Sequence, residues 1–523
     1  MKRIVDAHRF VPRSAGAITL VLAAVACGSA DEGSTTAPPV ATPPPSPQAP
    51  LAELVSVDDV SVYQAVKAQL VQEGAVVAKP NAPVIANRPA VIRVFVKAVR
   101  TARPTIEAEL VLKTPGKPDL VLRDGGKRVV TSLDDDELGT TMNFTVPADA
   151  LQAGTTYLFR AAAGKLDGAT DVLIYPSDGV PAALGVKTSS QTVRVKFVPI
   201  TFEDEGVPRP ADMSSVQLYK DTIYSMYPVA NVEVSIREQP LNWTQPVQSN
   251  GGGWDKLLST LMQLRRSDAP PQDVYYVGVF NPRSSLGEFC ASGGCVLGLA
   301  PQATERDLNM RVALVLGYDN RGAGDTVAHE LAHAMGRGHA PCGSPAGIDD
   351  EFPYGNASIG VGGYDLLTKK WVSPSSRAKD FMSYCGPTWV SDYTYNAIFE
   401  RMTVVEQQEI DRQKAPATTG NGGAPGGSST QVMQSFFVDR NGVVEPGPEL
   451  DTLGGAAEGD EKVAVTYEGA GNAKLASEVG VVRYLPAIDG RIVVAPRAPR
   501  AALRARLGGL GVTALRSASY SAR

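Results

Sequence analysis

Apolar and polar positions alternate in short bursts over the first third of the chain. Residues 90–99 (AVIRVFVKAV), 107–113 (EAELVLK), 119–123 (DLVLR) and 155–163 (TTYLFRAAA) place apolar side chains at every second position or in brief unbroken runs, separated by Gly, Pro and Asp clusters. A period of two is the spacing of a pleated strand, so residues 51–188 predict an all-β sandwich. Near residue 189 the rhythm changes. Residues 192–200, 231–238, 273–280 and 311–318 read as strands. Between them lie Val216, Tyr219, Ile223 and Tyr227, then Trp254, Leu257, Leu258, Leu261 and Met262, both at helical spacing. Strand, helix, strand, helix, strand predicts an α/β layer on a largely parallel sheet over residues 189–413. A Gly/Pro/Ser-rich linker at 414–430 leads to a small β domain at 431–496 and a basic tail at 497–523.

The chain starts with a basic stretch (Lys2, Arg3, Arg9, Arg13) and an apolar run at 15–26 that is too short to span a bilayer. Residues 1–27 therefore read as an export signal. The AVAC ending resembles a bacterial lipoprotein box, with Cys27 the lipidated residue, although Ala24 stands where Leu is most usual. Plain secretory cleavage is the alternative. Residues 28–50 are rich in Pro, Ser, Thr and Ala and predict a disordered tether. The protein is expected at the cell envelope, held to a membrane by its N-terminal lipid, or otherwise secreted.

The formal net charge is −5, too mild to argue for nucleic acid or another polyanion as partner. Oligomeric state has no signature. With Cys27 set aside, Cys290, Cys295, Cys342 and Cys385 remain, an even number that suggests two disulfides in an exported chain. Three pairings are open; Cys290–Cys295 and Cys342–Cys385 are favoured over the others and over free thiols. The run Asp134, Asp135, Asp136 lacks further ligand spacing and reads as a solvated loop, so calcium has no support.

Candidate chemistry is concentrated in one place. Of four histidines, three fall in HELAHAMGRGH at 329–339, and the fourth, His8, lies in the predicted signal. Residues four apart share a helix face, so His329 and His333 present two imidazoles to one point. Glu330 lies beside that point, where a carboxylate can take a proton from water. Gly336 permits the chain to leave the helix, and His339 can return from the turn. Three ligands leave a fourth position open, the arrangement of a catalytic rather than a structural zinc ion. Asp325 is a candidate N-cap of this helix. By chance, H-E-x-x-H alone is expected roughly 0.002 times per chain of this composition.

The motif H-E-x-x-H-x-x-G-x-x-H, filled by His329, Glu330, His333, Gly336 and His339, resembles that of the metzincin zinc endopeptidases. Those enzymes also carry a downstream turn with a methionine beneath the metal, and DFMSYCG at 380–386 resembles it, with Met382 in that place. The resemblance implies a metzincin-like α/β (α+β) catalytic domain split by a cleft, here in a multidomain chain between two β domains. It gives Tyr384 either an oxyanion-stabilising or a packing role. Ala340, after the third histidine, fits no familiar subgroup. Residues 289–300 are a candidate wall of the cleft, where a substrate backbone adds as a strand.

The function that follows is hydrolysis of extracellular proteins or glycoproteins, with one zinc ion and Glu330 as general base. Two alternatives belong to other classes: a non-catalytic surface binding protein with a structural zinc, and a cell-wall amidase.

Overall fold

The computed structural model describes residues 49–99, 101–204, 206–291, 293–318, 321–414, 430–454 and 460–515. The predicted signal segment with Cys27, most of the tether and the linker at 415–429 lie outside the described residues.

The first part of the chain makes two antiparallel sheets. One runs in the order Ala75–Val76, Lys67–Gln72, Val55–Tyr63, Ala90–Ala98, Met142–Val146. The other runs Val172–Tyr175, Thr156–Ala163, Thr105–Lys113, Leu120–Arg128. Their inward positions share one apolar cluster: Ile92, Val94 and Phe144 from the first, Leu110, Leu112 and Phe159 from the second. Phe144 and Phe159 meet edge to face at 6.3 Å.

The next sheet carries the site. Its spine is the long strand Thr192–Asp204, which pairs in parallel with Asn231–Ile236, Leu241–Trp243 and Val274–Phe280. Val312–Leu316 continues in parallel from Val274–Phe280, and Gly298–Leu299 closes the edge antiparallel. Both faces are covered, and strand alternation sorts the side chains. Val193, Val195, Phe197, Val277, Val279 and Val315 pack in one cluster with the helices Val216–Met226 and Arg321–Ala334. Val198, Ile200, Phe202, Tyr276, Leu314 and Leu316 pack in another with Trp254–Asp268.

That second cluster is finished by the C-terminal sheet, which runs Val444–Leu453, Thr430–Val438, Gly490–Pro496, Lys474–Leu485, Lys462–Glu468, Arg504–Leu507, Gly511–Ala514. Phe437, Leu450, Val481, Leu485, Ile492 and Val494 pack among the residues around Trp254. Arg483 joins the two regions by ion pairs to Asp307 at 2.6 Å and Asp460 at 2.9 Å, all three side chains buried. These partners and a hydrogen bond to Thr304 Oγ1 compensate the buried charge. Arg504–Leu507 and Gly511–Ala514 fall in the stretch read as a basic tail. Ala505 and Leu507 point inward while Arg504 and Arg506 stay exposed, so arginine hides the period of two.

The expected fold class, a multidomain chain with an α/β catalytic domain of metzincin type, is overturned. Among the described residues thirty strands stand against six α-helices, two of them single turns, so the molecule is predominantly β. Ala49–Arg523 clusters as one unit. Its apolar clusters cross the expected boundaries: one extends from Leu51 to Met402, the other from Val198 to Val494. The physical reason is that local periodicity reveals an apolar face but not what covers it. Here the covers come from distant strands. The end of Val55–Tyr63 and the turn after it are stitched to the later chain: Tyr364 N–H and Trp389 Nε1–H both donate to Ala65 O, at 3.0 and 2.9 Å. Lys67 N–H donates to Gly362 O at 2.8 Å.

Candidate metal centre

The helix Arg321–Ala334 buries Val327, Ala328, Leu331 and Ala332 against the sheet and the helix Val216–Met226. Tyr227 O–H donates to Ala328 O at 2.6 Å, fixing the backbone next to His329. Asp325 is not the N-cap. The helix starts four residues earlier, and the Asp325 carboxylate instead accepts from Thr388 Oγ1 at 3.0 Å.

The helix stops as its glycine allows. Gly336 N–H donates to His333 O at 2.7 Å and Arg337 N–H to Ala332 O at 2.9 Å, the paired bonds of a Schellman end. Gly336 has φ +89°, and a Cβ there would stand 2.9 Å from Ala303 O and 2.6 Å from Arg401 Nη2. The chain then turns back. His339 N–H donates to Gly347 O at 3.0 Å, and its own carbonyl accepts from Asp349 N–H at 2.8 Å.

These constraints bring His329, His333 and His339 together. His339 Nε2 lies 3.1 Å from His329 Nε2 and 3.1 Å from His333 Nε2. The three donor atoms fall within 4.8 Å of one another. Each opposite nitrogen faces a backbone carbonyl: His329 Nδ1 donates to Phe381 O at 2.7 Å, His333 Nδ1 to Arg337 O at 2.7 Å, and His339 Nδ1 to Ala346 O. That pattern fixes the tautomer with the proton on Nδ1 and turns three Nε2 lone pairs inward. Burial pushes the His329 imidazole down to about 3, with His339 adding to the effect, and burial also lowers His333 and His339. Neutral imidazoles are the form that binds metal. Two nitrogens each 3.1 Å from a third, all within 4.8 Å of one another, fit one ion with metal–nitrogen bonds of about 2.0–2.1 Å. The triad can hold a metal ion.

Glu330 lies on the same helix turn. Gly298 of the edge strand is pressed against it, since a Cβ at 298 would come 2.4 Å from Glu330 Cγ. Burial raises the Glu330 pKa well above the ordinary carboxylate range, opposed by a hydrogen bond with the Ala300 backbone. Oε2 of Glu330 is buried without a hydrogen-bond partner among the described residues.

The 380–386 turn lies against the segment that follows His339. Ala340 N–H donates to Met382 O at 3.0 Å, Tyr384 N–H donates to Cys342 O at 3.0 Å, and Cys342 and Cys385 are disulfide-bonded. Met382 is buried. Tyr384 is half exposed, with its ring 4.8 Å from that of His339. Burial, and then the electrostatic interaction with Glu330, push its phenol up to about 12. Cys290 and Cys295 form the second disulfide, so the two favoured pairs are the ones present, and both point to an oxidising compartment. Among the described residues no helix is long and apolar enough to cross a membrane.

Two contributors escape sequence reasoning. Asp380 is fully buried and accepts from Met382 N–H at 2.8 Å and from Ser391 N–H at 2.9 Å, holding the turn in shape. An acid two residues before the methionine does not by itself reveal that it is buried. Gly298 left no signal either, because its closeness to Glu330 comes from sheet pairing.

No family model matches the chain, and no curated protein matches it. Among solved structures, it is similar to a cycloisomaltooligosaccharide glucanotransferase from Paenibacillus sp. complexed with cycloisomaltoheptaose, at 9% identity and a TM-score of 0.14. The alignment covers 85% of this chain and 70% of that one. A likeness this slight carries no argument about fold or function.

Proposed function

We propose that the protein is a zinc-dependent endopeptidase acting on extracellular proteins or glycoproteins. The observation that carries the reading is the convergence of three Nε2 atoms beside a buried carboxylate with an unpartnered oxygen. His329, His333 and His339 would hold the ion, which when bound supplies Lewis-acid activation of water and of a carbonyl. The proposal concerns the chemistry of the site, where the motif resembles that of metzincins, and does not depend on the fold.

The residues divide the work. Glu330 Oε2 takes the proton of the attacking water and delivers it to the leaving amine nitrogen. The hydrogen bond with the Ala300 backbone holds the carboxyl in place. Tyr384, protonated at neutral pH, donates from the rim to the developing oxyanion. The peptide enters along the edge strand Gly298–Leu299, which pairs on its other side with Val312–Leu316.

The disulfides speak against a purely structural zinc. Structural sites have four protein ligands, and cysteine is a common one. Here all four described cysteines are bonded in pairs, and among the described residues the group has three donors. An N-terminal lipid at Cys27 would keep the enzyme at the envelope.

The test uses purified protein and unfolded protein substrates. Cleavage should stop with a chelator and return with zinc. Glu330→Gln should retain one zinc per chain and lose about 10²–10⁴-fold in kcat/KM. Undiminished cleavage by that variant would overturn the mechanism.

A further inference from the structure

The C-terminal sheet reaches the metal centre through one corner. The 3₁₀ turn Pro486–Ile488 follows its strand Lys474–Leu485 and lies against the edge strand Gly298–Leu299, whose glycine touches Glu330. Gln302 N–H, three residues beyond that edge strand, donates to Tyr484 O at 2.9 Å. Pro486 meets the loop that supports His339, since a Cβ at Gly347 would contact the Pro486 ring at 3.4 Å. Ile488 meets a third segment: a Cβ at Gly251 would stand 2.6 Å from Ile488 Cγ2 and 3.6 Å from Val296 Cγ2. One turn thus spans the strand beside the catalytic acid, the loop beside the third ligand, and the glycine-rich turn before Trp254.

The chemistry of this corner is apolar. Ala487 and Ile488 are half buried, and Leu297 and Ile348 next to the contacted segments are 41% and 45% exposed. Large aliphatic side chains left open beside a catalytic centre are a ready surface for an aliphatic or aromatic group of a ligand.

Resting on the endopeptidase reading, we infer that Pro486–Ile488 is a specificity wall of the substrate groove, receiving a large apolar side chain of an extended peptide close to the scissile bond. The C-terminal sheet then selects substrate and is not a remote accessory. The energetic lever is apolar area removed from water, which scales with the side chain received.

Cleavage-site profiling on a denatured proteome, with zinc content measured in parallel, tests this. The wild type should show a preference for large apolar residues at one position near the cut. Ala487→Glu should keep its zinc, lose about tenfold in kcat/KM for peptides with Leu or Phe there, and gain for Lys or Arg at that position. Such an exchange of preference cannot arise from misfolding. Ile488→Ala should weaken the apolar preference without the basic gain. A zinc-loaded, active Ala487→Glu variant with the wild-type profile overturns the wall and leaves the peptidase reading standing. A zinc-loaded wild type that cuts no peptide overturns both.

Discussion

At the scale of single residues, the histidine motif was open to direct reading because its logic is local. His329 and His333 share a helix face through spacing alone, and Gly336 marks the exit. The structure adds the steric reason for that glycine. Its φ of +89° and the two atoms that crowd an added Cβ make alanine strained there. Gly336→Ala should lower stability by about 1–3 kcal/mol and weaken zinc retention, read by thermal melting and chelator competition. Unchanged melting and zinc affinity would show that the turn adapts. Gly298 and Asp380 were illegible for the opposite reason. Gly298 matters only because an edge strand from elsewhere presses on Glu330, and Asp380 only because Ser391 and Met382 close around it. Contacts between residues far apart in sequence leave no periodic trace.

Elements tell a similar story. The strands within Thr192–Asp204 and Val274–Phe280 and the helices around Ile223 and Leu261 were visible, because each is long enough to repeat its period. Two-residue strands such as Gly298–Leu299 have no period to see, and Arg504–Leu507 is masked by charge. The element that sets the site is the pairing of the segment after His339 with the turn around Met382. Two backbone hydrogen bonds and the Cys342–Cys385 disulfide hold it. The bond closes a separation of 43 residues. Replacing both cysteines with serine should destabilise the fold by about 2–4 kcal/mol and loosen His339 and Tyr384 together. Zinc affinity and kcat should then both fall, whereas loss of Cys290–Cys295, farther along the edge segment, should leave zinc affinity near the wild-type level. Equal zinc affinity in the two double variants would remove the disulfide from the list of supports.

At the scale of the whole molecule, local patterns say least. Apolar stripes and strand runs suggested separable modules, yet which stripe covers which is a long-range fact. The Trp254 helix is capped by Phe437, Leu450 and Ile492, so removing the C-terminal sheet uncovers a large apolar surface. A chain ending at residue 414 should aggregate or bind a hydrophobic dye and should hold no zinc. A soluble, zinc-loaded fragment would show the sheet to be dispensable. The same interlocking bears on timing. Backbone around Ala65 clasps the loops that follow His339, and Tyr484 and Pro486, far later in the chain, brace the surroundings of that histidine. Synthesis delivers these pieces far apart in time, so on the endopeptidase proposal a half-made chain lacks a finished cutting centre. On that reading, the cell that makes the protein is shielded from it until the segment around Pro486 has emerged.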